Sequence, residues 1–252
     1  MKVLLSPAKS LDFDTPLPHD KKSQPLFLHK AQKVNDLLRK KSPKKLMELM
    51  GISPSLAALN YDRNQMWSEE SEASVSRAAV YAFNGEVYRG LDVYSLGADR
   101  VDLMQETLRI LSGQYGLLRP LDQMKPYRLE MGTKLAVGKA KNLYEFWQKE
   151  VTEALKSELD SGEIVVNLAS NEYAKCVDFN ALENEVITPV FKEFKNGTYK
   201  VLAVYAKHAR GLMSRFILET GAQSKEDLMK FSSGGYALSQ ELSQGDQLVF
   251  VR

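Results

Sequence analysis

The sequence predicts an α+β fold, and three observations predict it. The chain has 252 residues with 44% hydrophobic content, enough to bury a core without staples. Segments with helical spacing of apolar residues alternate irregularly with compact apolar runs of strand length, without a steady βαβ beat. No repeat, low-complexity linker or composition shift marks a boundary, so residues 1–252 are expected to form a single mixed domain.

Taken in order, Lys2 to Leu5 reads as a short buried strand that Ser6-Pro7 ends, and Leu11 to Gln24, carrying Pro16 and Pro18, reads as a wrapped loop. A helix is expected from about Leu26 to Lys40, with Leu28, Ala31, Val34, Leu37 and Leu38 on one face. Ala73 to Phe83 is apolar and is read as changing from helix to strand near Val80. Asp99 is placed to cap a helix running to about Leu111, with Leu103, Met104, Leu108 and Leu111 inward, and Asn142 to cap another that buries Leu143, Phe146, Trp147, Val151, Ala154 and Leu155. Ile164 to Leu168 reads as a strand. Val186 to Phe194 and Tyr199 to Tyr205 flank Asn196-Gly197, a favoured two-residue hairpin turn. Helices follow from about Lys207 to Thr220 and from Ser224, and Tyr236–Leu238 and Leu248–Val251 close the chain as strands around a Gly245-Asp246 turn.

The segment 42–60 is read as two short helices with a tight reversal between them. Ser42 and Ser53 are suited to accept from free N–H groups of a first turn, and Pro43 and Pro54 occupy first helical positions, where no donor is needed. Gly51 permits the reversal and lets backbone amides approach a phosphate. This is the pattern of a helix-hairpin-helix, a backbone-gripping device whose turn reads hydrophobe-x-Gly-hydrophobe-Gly; here Leu49-Met50-Gly51-Ile52-Ser53 has serine for the second glycine. Ordinary helical corners share the pattern.

A net charge of +2 says little about partners, but its distribution says more. From Lys21 to Lys45 there are nine lysines or arginines against one acid, Asp36, and acids then gather at Glu69, Glu70 and Glu72. Such a block attracts polyanions, or is a solvated helix face. The single cysteine, Cys176, excludes an internal disulfide and reads as a small apolar filler. The first residues are too short an apolar run for a signal peptide and no segment approaches a membrane span, so a cytoplasmic protein with no membrane partner is expected. His19, His29 and His208 lack ligand-like spacing with one another or with Cys176, so no metal is expected, and no cofactor.

Several constellations carry polar chemistry. Ser6-Pro7-Ala8-Lys9 has the spacing of a serine–lysine nucleophile pair, although Pro7 after a strand favours a turn that holds Lys9 at a cleft. Leu111 to Gly132 is dense in glycine, proline, tyrosine and paired charges. In it Arg119 and Arg128 are natural phosphate or carboxylate binders, unless Asp122 and Glu130 neutralise them. Asn167 to Tyr173 leaves a strand end, where Ser170 and Glu172 would line a cleft. Lys207, Arg210 and Ser214 share a helix face, with Arg215 beside them.

Together, Leu5-Ser6-Pro7-Ala8-Lys9, the Leu111 to Gly132 run, Asn167-Leu168-Ala169-Ser170 with Glu172-Tyr173, and Tyr205-Ala206-Lys207 with Ala209-Arg210-Gly211-Leu212-Met213-Ser214-Arg215-Phe216 resemble the bacterial peroxide stress protein YaaA family. The resemblance implies a cytoplasmic protein with a fold peculiar to the family, a positively charged cleft and a helix-hairpin-helix that maps onto Lys44 to Asn60. It further implies resistance to hydrogen peroxide, restraint of unincorporated iron and DNA binding, and it brings no catalytic residues.

The expected function is therefore sequence-nonspecific binding of DNA, as duplex or at junctions and unpaired regions, in protection or repair under peroxide stress. Lys44, Lys45, Gly51, Ser53 and Ser55 would hold backbone phosphates, and Lys9, Arg119, Arg128, Lys207, Arg210 and Arg215 would line the cleft. The alternative is an enzyme acting on a nucleotide, a base or a small oxidised metabolite, with Lys9, Arg128, Ser170 and Glu172 converging in one pocket.

Overall fold

Val3, Leu4 and Leu5 are fully buried because the strand they form lies in the middle of a sheet. The computed structural model describes residues 1–68 and 76–252. Its elements up to the middle of the chain are β1 (Lys2–Leu5), α1 (Leu28–Arg39), α2 (Pro43–Met50), α3 (Pro54–Met66), β2 (Arg77–Ala78), α4 (Ala79–Ala82), α5 (Glu86–Leu91), α6 (Val101–Thr107), β3 (Leu108–Ser112), β4 (Gly116–Leu118) and β5 (Gln123–Met124). The second half adds α7 (Leu143–Ser157), β6 (Val165–Asn167), α8 (Asn171–Ala174), β7 (Val186–Lys195), β8 (Thr198–Lys200), α9 (Ala203–Thr220), α10 (Lys225–Leu228), β9 (Ala237–Leu238) and β10 (Gln247–Val251).

The main sheet runs β4-β3-β1-β6-β7-β10-β9, and β8 pairs with β7. Its five middle strands are parallel, with Val3 opposite Leu108 on one side and Val166 on the other, while β4, β8 and β9 pair antiparallel. Helices and strands mix in one domain, as the sequence implies, but a sheet with this parallel centre makes the architecture α/β rather than α+β. The irregular element order arises because the parallel crossovers here contain several short helices or loops instead of one helix each.

Local signals account for most elements. Ser42 Oγ accepts from Lys45 N, Ser53 Oγ from Leu56 N, Asn142 Oδ1 from Glu145 N and Ser224 Oγ from Asp227 N, so each of these caps forms where the sequence places it. Asn196 and Gly197 both take positive φ, 54° and 78°, as a twisted two-residue hairpin requires. Elsewhere the chain departs from its apparent periodicity. Leu108 to Leu111, read as the end of a helix, belongs to the parallel strand β3, buried along its length; a strand covered on both faces is rich in apolar residues and mimics a helix end. Asp99 caps nothing: it lies in a single 3₁₀ turn, and α6 begins without a side-chain cap. Between Ser76 and Phe83 strand precedes helix, the reverse of the expected order. Glu69, Glu70, Glu72 and the start of the Ala73 run lie outside the described residues. β8 stops at Lys200, and Val204 and Tyr205, expected in a strand, open α9.

Two close approaches lock helices onto the sheet and onto each other. Trp147 of α7 is fully buried, donates its indole N–H to Gly113 O at 2.9 Å and covers Gly116, which has φ 70° and no room for a Cβ against the ring. α5 and α9 cross at Gly90 and Gly211, where a Cβ on Gly211 would strike Val87 O and one on Gly90 would strike His208 O. Among the described residues no helix is long and apolar enough to cross a membrane.

Candidate anion-binding cavity

The sheet's strand order predicts where a site should form. From β1 the chain moves to β3 on one side, and from β6 it moves to β7 on the other, so the adjacent ends of β1 and β6 open a crevice at the carboxyl edge. That is where the cavity lies. It has a volume of about 290 Å³, and its lining includes the residues that leave these two strands, Ser6 to Ser10 after β1 and Ser170, Glu172 and Tyr173 after β6.

The two strand ends are stitched together. Ser6 Oγ accepts from Ser170 N at 2.8 Å and donates to Ser170 Oγ at 3.2 Å, while Tyr88 of α5 donates to Ser6 O at 3.1 Å. Ser6 thus faces Ser170, and Lys9 Nζ pairs with Glu130 at 3.0 Å. Neither partner serves the other, which corrects the serine–lysine pairing. Glu172 accepts from Gly132 N at 2.9 Å, with Gly132 so close that a Cβ there would lie 3.0 Å from the carboxylate.

Four cations, Lys9, Arg128, Lys207 and Arg210, line the cavity with three carboxylates, Glu86, Glu130 and Glu172. Glu130 takes both Lys9 and Arg128, the latter at 3.4 Å, and Glu86 is held by Arg89 at 2.6 Å, with His208 Nδ1 at 3.6 Å. Among the described residues the Lys207 and Arg210 side chains have no such partner, and Arg128 Nε is buried with no acceptor. Burial lowers the pKa of Arg210, the mark of a cation removed from water without an anion. Tyr88, Tyr127 and Tyr173 complete the wall; burial pushes their hydroxyls up, so they stay neutral, and the Tyr127 hydroxyl is bonded to Ser112 Oγ at 2.6 Å as that of Tyr88 is to Ser6 O.

The remaining expected residues lie elsewhere. Arg119 forks onto buried Asp122 at 3.0 and 3.1 Å and donates to Gln24 O at 3.0 Å. Arg215 pairs with Glu219 and ties the end of α5 by donating to Asp92 O at 2.7 Å and Ser95 Oγ at 2.9 Å. Ser214 is fully buried and bonds back to Arg210 O. Lys44, Lys45, Ser53 and Ser55 are exposed on α2 and α3, whose inner face buries Leu46, Ile52 and Ala57. Gly51 sits between these helices at φ 60°, with open space where a Cβ would stand. None of residues 42–60 lines the cavity. Sequence reasoning passed over Glu86 and Tyr88; the one signal for them was a short segment bracketed by Gly85 and Gly90. Among the described residues no three His, Cys, Asp or Glu side chains gather as metal ligands would.

The chain matches the family model described as peroxide stress protein YaaA over residues 1–242. It is 50% identical to a UPF0246 protein of Flavobacterium johnsoniae over the whole of both chains. It is 47% identical to one of Hahella chejuensis and 48% to one of Saccharophagus degradans, covering all of this chain and 99% of each relative.

Proposed function

This chain belongs to the peroxide stress protein YaaA family, and from that premise we propose that it binds DNA through the phosphate backbone, without reading sequence, in the response to hydrogen peroxide. The observation that supports this most directly is the α2–α3 corner. Two helices, each capped by serine with proline at its first position, meet at left-handed Gly51, and Lys44, Lys45, Ser53 and Ser55 face solvent around it. In this reading the corner is a helix-hairpin-helix: Pro54 has no N–H and Leu56 N and Ala57 N are taken by Ser53, so the Ser55 amide and the hydroxyls of Ser53 and Ser55 hold a phosphate and the lysines add charge. Serine at position 53 stands where the motif has its second glycine, and it caps α3 by accepting from Leu56 N. Covering DNA in this way would protect it, or hold it for repair, where unincorporated iron turns peroxide into damaging radicals.

The test is a gel-shift series with duplex DNA at rising salt. Affinity should fall with a log–log slope of about −0.9 per phosphate neutralised. Lys44→Glu with Lys45→Glu should weaken binding and flatten the slope by about 2, while the thermal unfolding midpoint stays within a few degrees. Unchanged affinity would move the contact away from α2 and α3.

A second reading, an enzyme acting on a nucleotide, a base or a small oxidised metabolite, is favoured by one specific observation. Lys9, Arg128, Ser170 and Glu172 line the same cavity, together with partnerless Lys207 and Arg210. A passive backbone clamp does not require that enclosure. The two readings use different parts of the molecule and are compatible.

A further inference from the structure

We propose that the cavity holds one nucleoside monophosphate unit, its phosphate against Arg210 and Lys207 and its base against the tyrosine wall; this deepens the enzyme reading and rests on it. Charge matching carries the argument. Glu130 takes both Lys9 and Arg128, Glu86 takes Arg89 and, among the described residues, Glu172 carries no cation and Lys207 and Arg210 have no anion, so five cations meet three carboxylates and two positive charges are left over. Two positive charges match one phosphate dianion. A di- or triphosphate would bring more negative charge than they offset.

The rest of the cavity asks for more than an inorganic ion. At about 290 Å³ it is near the lower end of small-molecule pockets, which span about 300–1,000 Å³. Tyr88, Tyr127 and Tyr173, each less than a tenth exposed, lend the lining neutral aromatic atoms against which a planar ring can pack. The carboxylate oxygens of Glu172 and Glu130 would repel a phosphate but accept from a base amine or a sugar hydroxyl, so the lining is polarised, cationic on the α9 side and acceptor-bearing beside the 127–132 strap and α8. The α5–α9 crossing at Gly90 and Gly211 holds that polarity in place, because Arg210 precedes Gly211 and Tyr88 lies two residues before Gly90.

The unit can come free or as an unpaired nucleotide within a strand. The second source has separate support: the β7–β8 hairpin extends past the same carboxyl edge and exposes the edge-to-face pair Phe194 and Tyr199 with Lys195 and Lys200 around them, a combination that suits unpaired bases.

The experiment is calorimetric titration of the full chain with the 5′-mononucleotides, their nucleosides and inorganic phosphate, followed by competition with a duplex carrying a single-nucleotide bulge. At least one monophosphate should bind tenfold or more tightly than its nucleoside and than phosphate alone. Arg210→Gln and, should that variant unfold, the exposed Lys207→Gln should each weaken it at least tenfold, with Arg100→Gln, at a residue outside the cavity lining that pairs with Asp99, unchanged. Displacement of the free nucleotide by the bulged duplex, but not by the paired one, identifies the strand as source; no displacement identifies the free nucleotide. The proposal is overturned if no monophosphate binds to folded protein, if nucleoside and monophosphate bind equally, or if both α9 variants bind as the parent does. Salt-dependent duplex binding that survives any of these results leaves the α2–α3 reading standing, and loss of duplex binding in the Lys44, Lys45 double variant leaves the cavity proposal untouched.

Discussion

A protein of peroxide defence invites the thought that its cysteine reacts with peroxide, and the environment of Cys176 answers it. The reactive species is the thiolate, and burial pushes this thiol up to about 12 from an ordinary 9.0 while closing it off from solvent. Native protein at pH 8 should therefore leave Ellman's reagent unreacted and gain no oxygen by mass spectrometry in micromolar hydrogen peroxide. One equivalent should react once guanidinium unfolds it; prompt labelling of the folded chain would reject this assignment. Single residues also show how little type alone reveals. Arg119 and Arg128 sit nine positions apart in one loop-rich run and read identically as anion binders. Arg119 is spent on Asp122, three residues on, whereas Arg128 shares Glu130 with Lys9 and keeps a buried Nε unpaired. Each arginine has its acid close by in sequence; what the local sequence does not carry is that Lys9, far along the chain, shares Glu130.

At the scale of elements, the α5–α9 crossing makes an unusual demand. Glycine inside a helix ordinarily costs about 1 kcal/mol against alanine. At Gly211 the sign should reverse, because the added methyl would meet Val87 O and Leu91 N. Gly211→Ala is expected to lower stability by about 1–3 kcal/mol in urea titration, the usual range for overpacking, and to weaken mononucleotide binding through the displacement of Arg210. Stabilisation instead would show that the crossing yields. Elements with their own start signals were legible in the sequence: α2, α3, α7 and α10 each begin at a serine or asparagine that caps them. Elements defined by burial on all sides were not. β3 looks like the last turn of α6, and nothing within Leu108 to Ser112 distinguishes the two until Val3 is known to lie beside it.

For the molecule as a whole, the buried phenols set an alkaline limit. Burial raises the pKa of Tyr115 and Tyr127 and takes Tyr81 to about 12, each from an ordinary 10.0, and Cys176 behaves likewise. A raised acid pKa in the fold favours the folded state fully only below the unfolded value. Above about pH 9 the unfolded chain begins to lose protons that the folded chain keeps, so stability should decline from there and continue falling through pH 12. A urea midpoint that is flat between pH 8 and 11 would contradict this. The cavity was partly legible at this scale: four blocks of sequence pointed to Lys9, Arg128, Ser170, Glu172, Lys207 and Arg210, and the sheet brings them together. What assembles them is the crevice between β1 and β6, which depends on strand order, and strand order is invisible to local pattern. The same arrangement has a consequence during synthesis. β1 leaves the ribosome long before either neighbour exists, since its first partner begins at Leu108 and its second at Val165. At about 5–20 residues per second, Val3, Leu4 and Leu5 wait on the order of 5–20 s for β3 and longer for β6. The nascent chain therefore carries an unpaired apolar segment through much of its translation, on the strand that ends between two parallel neighbours in the finished sheet.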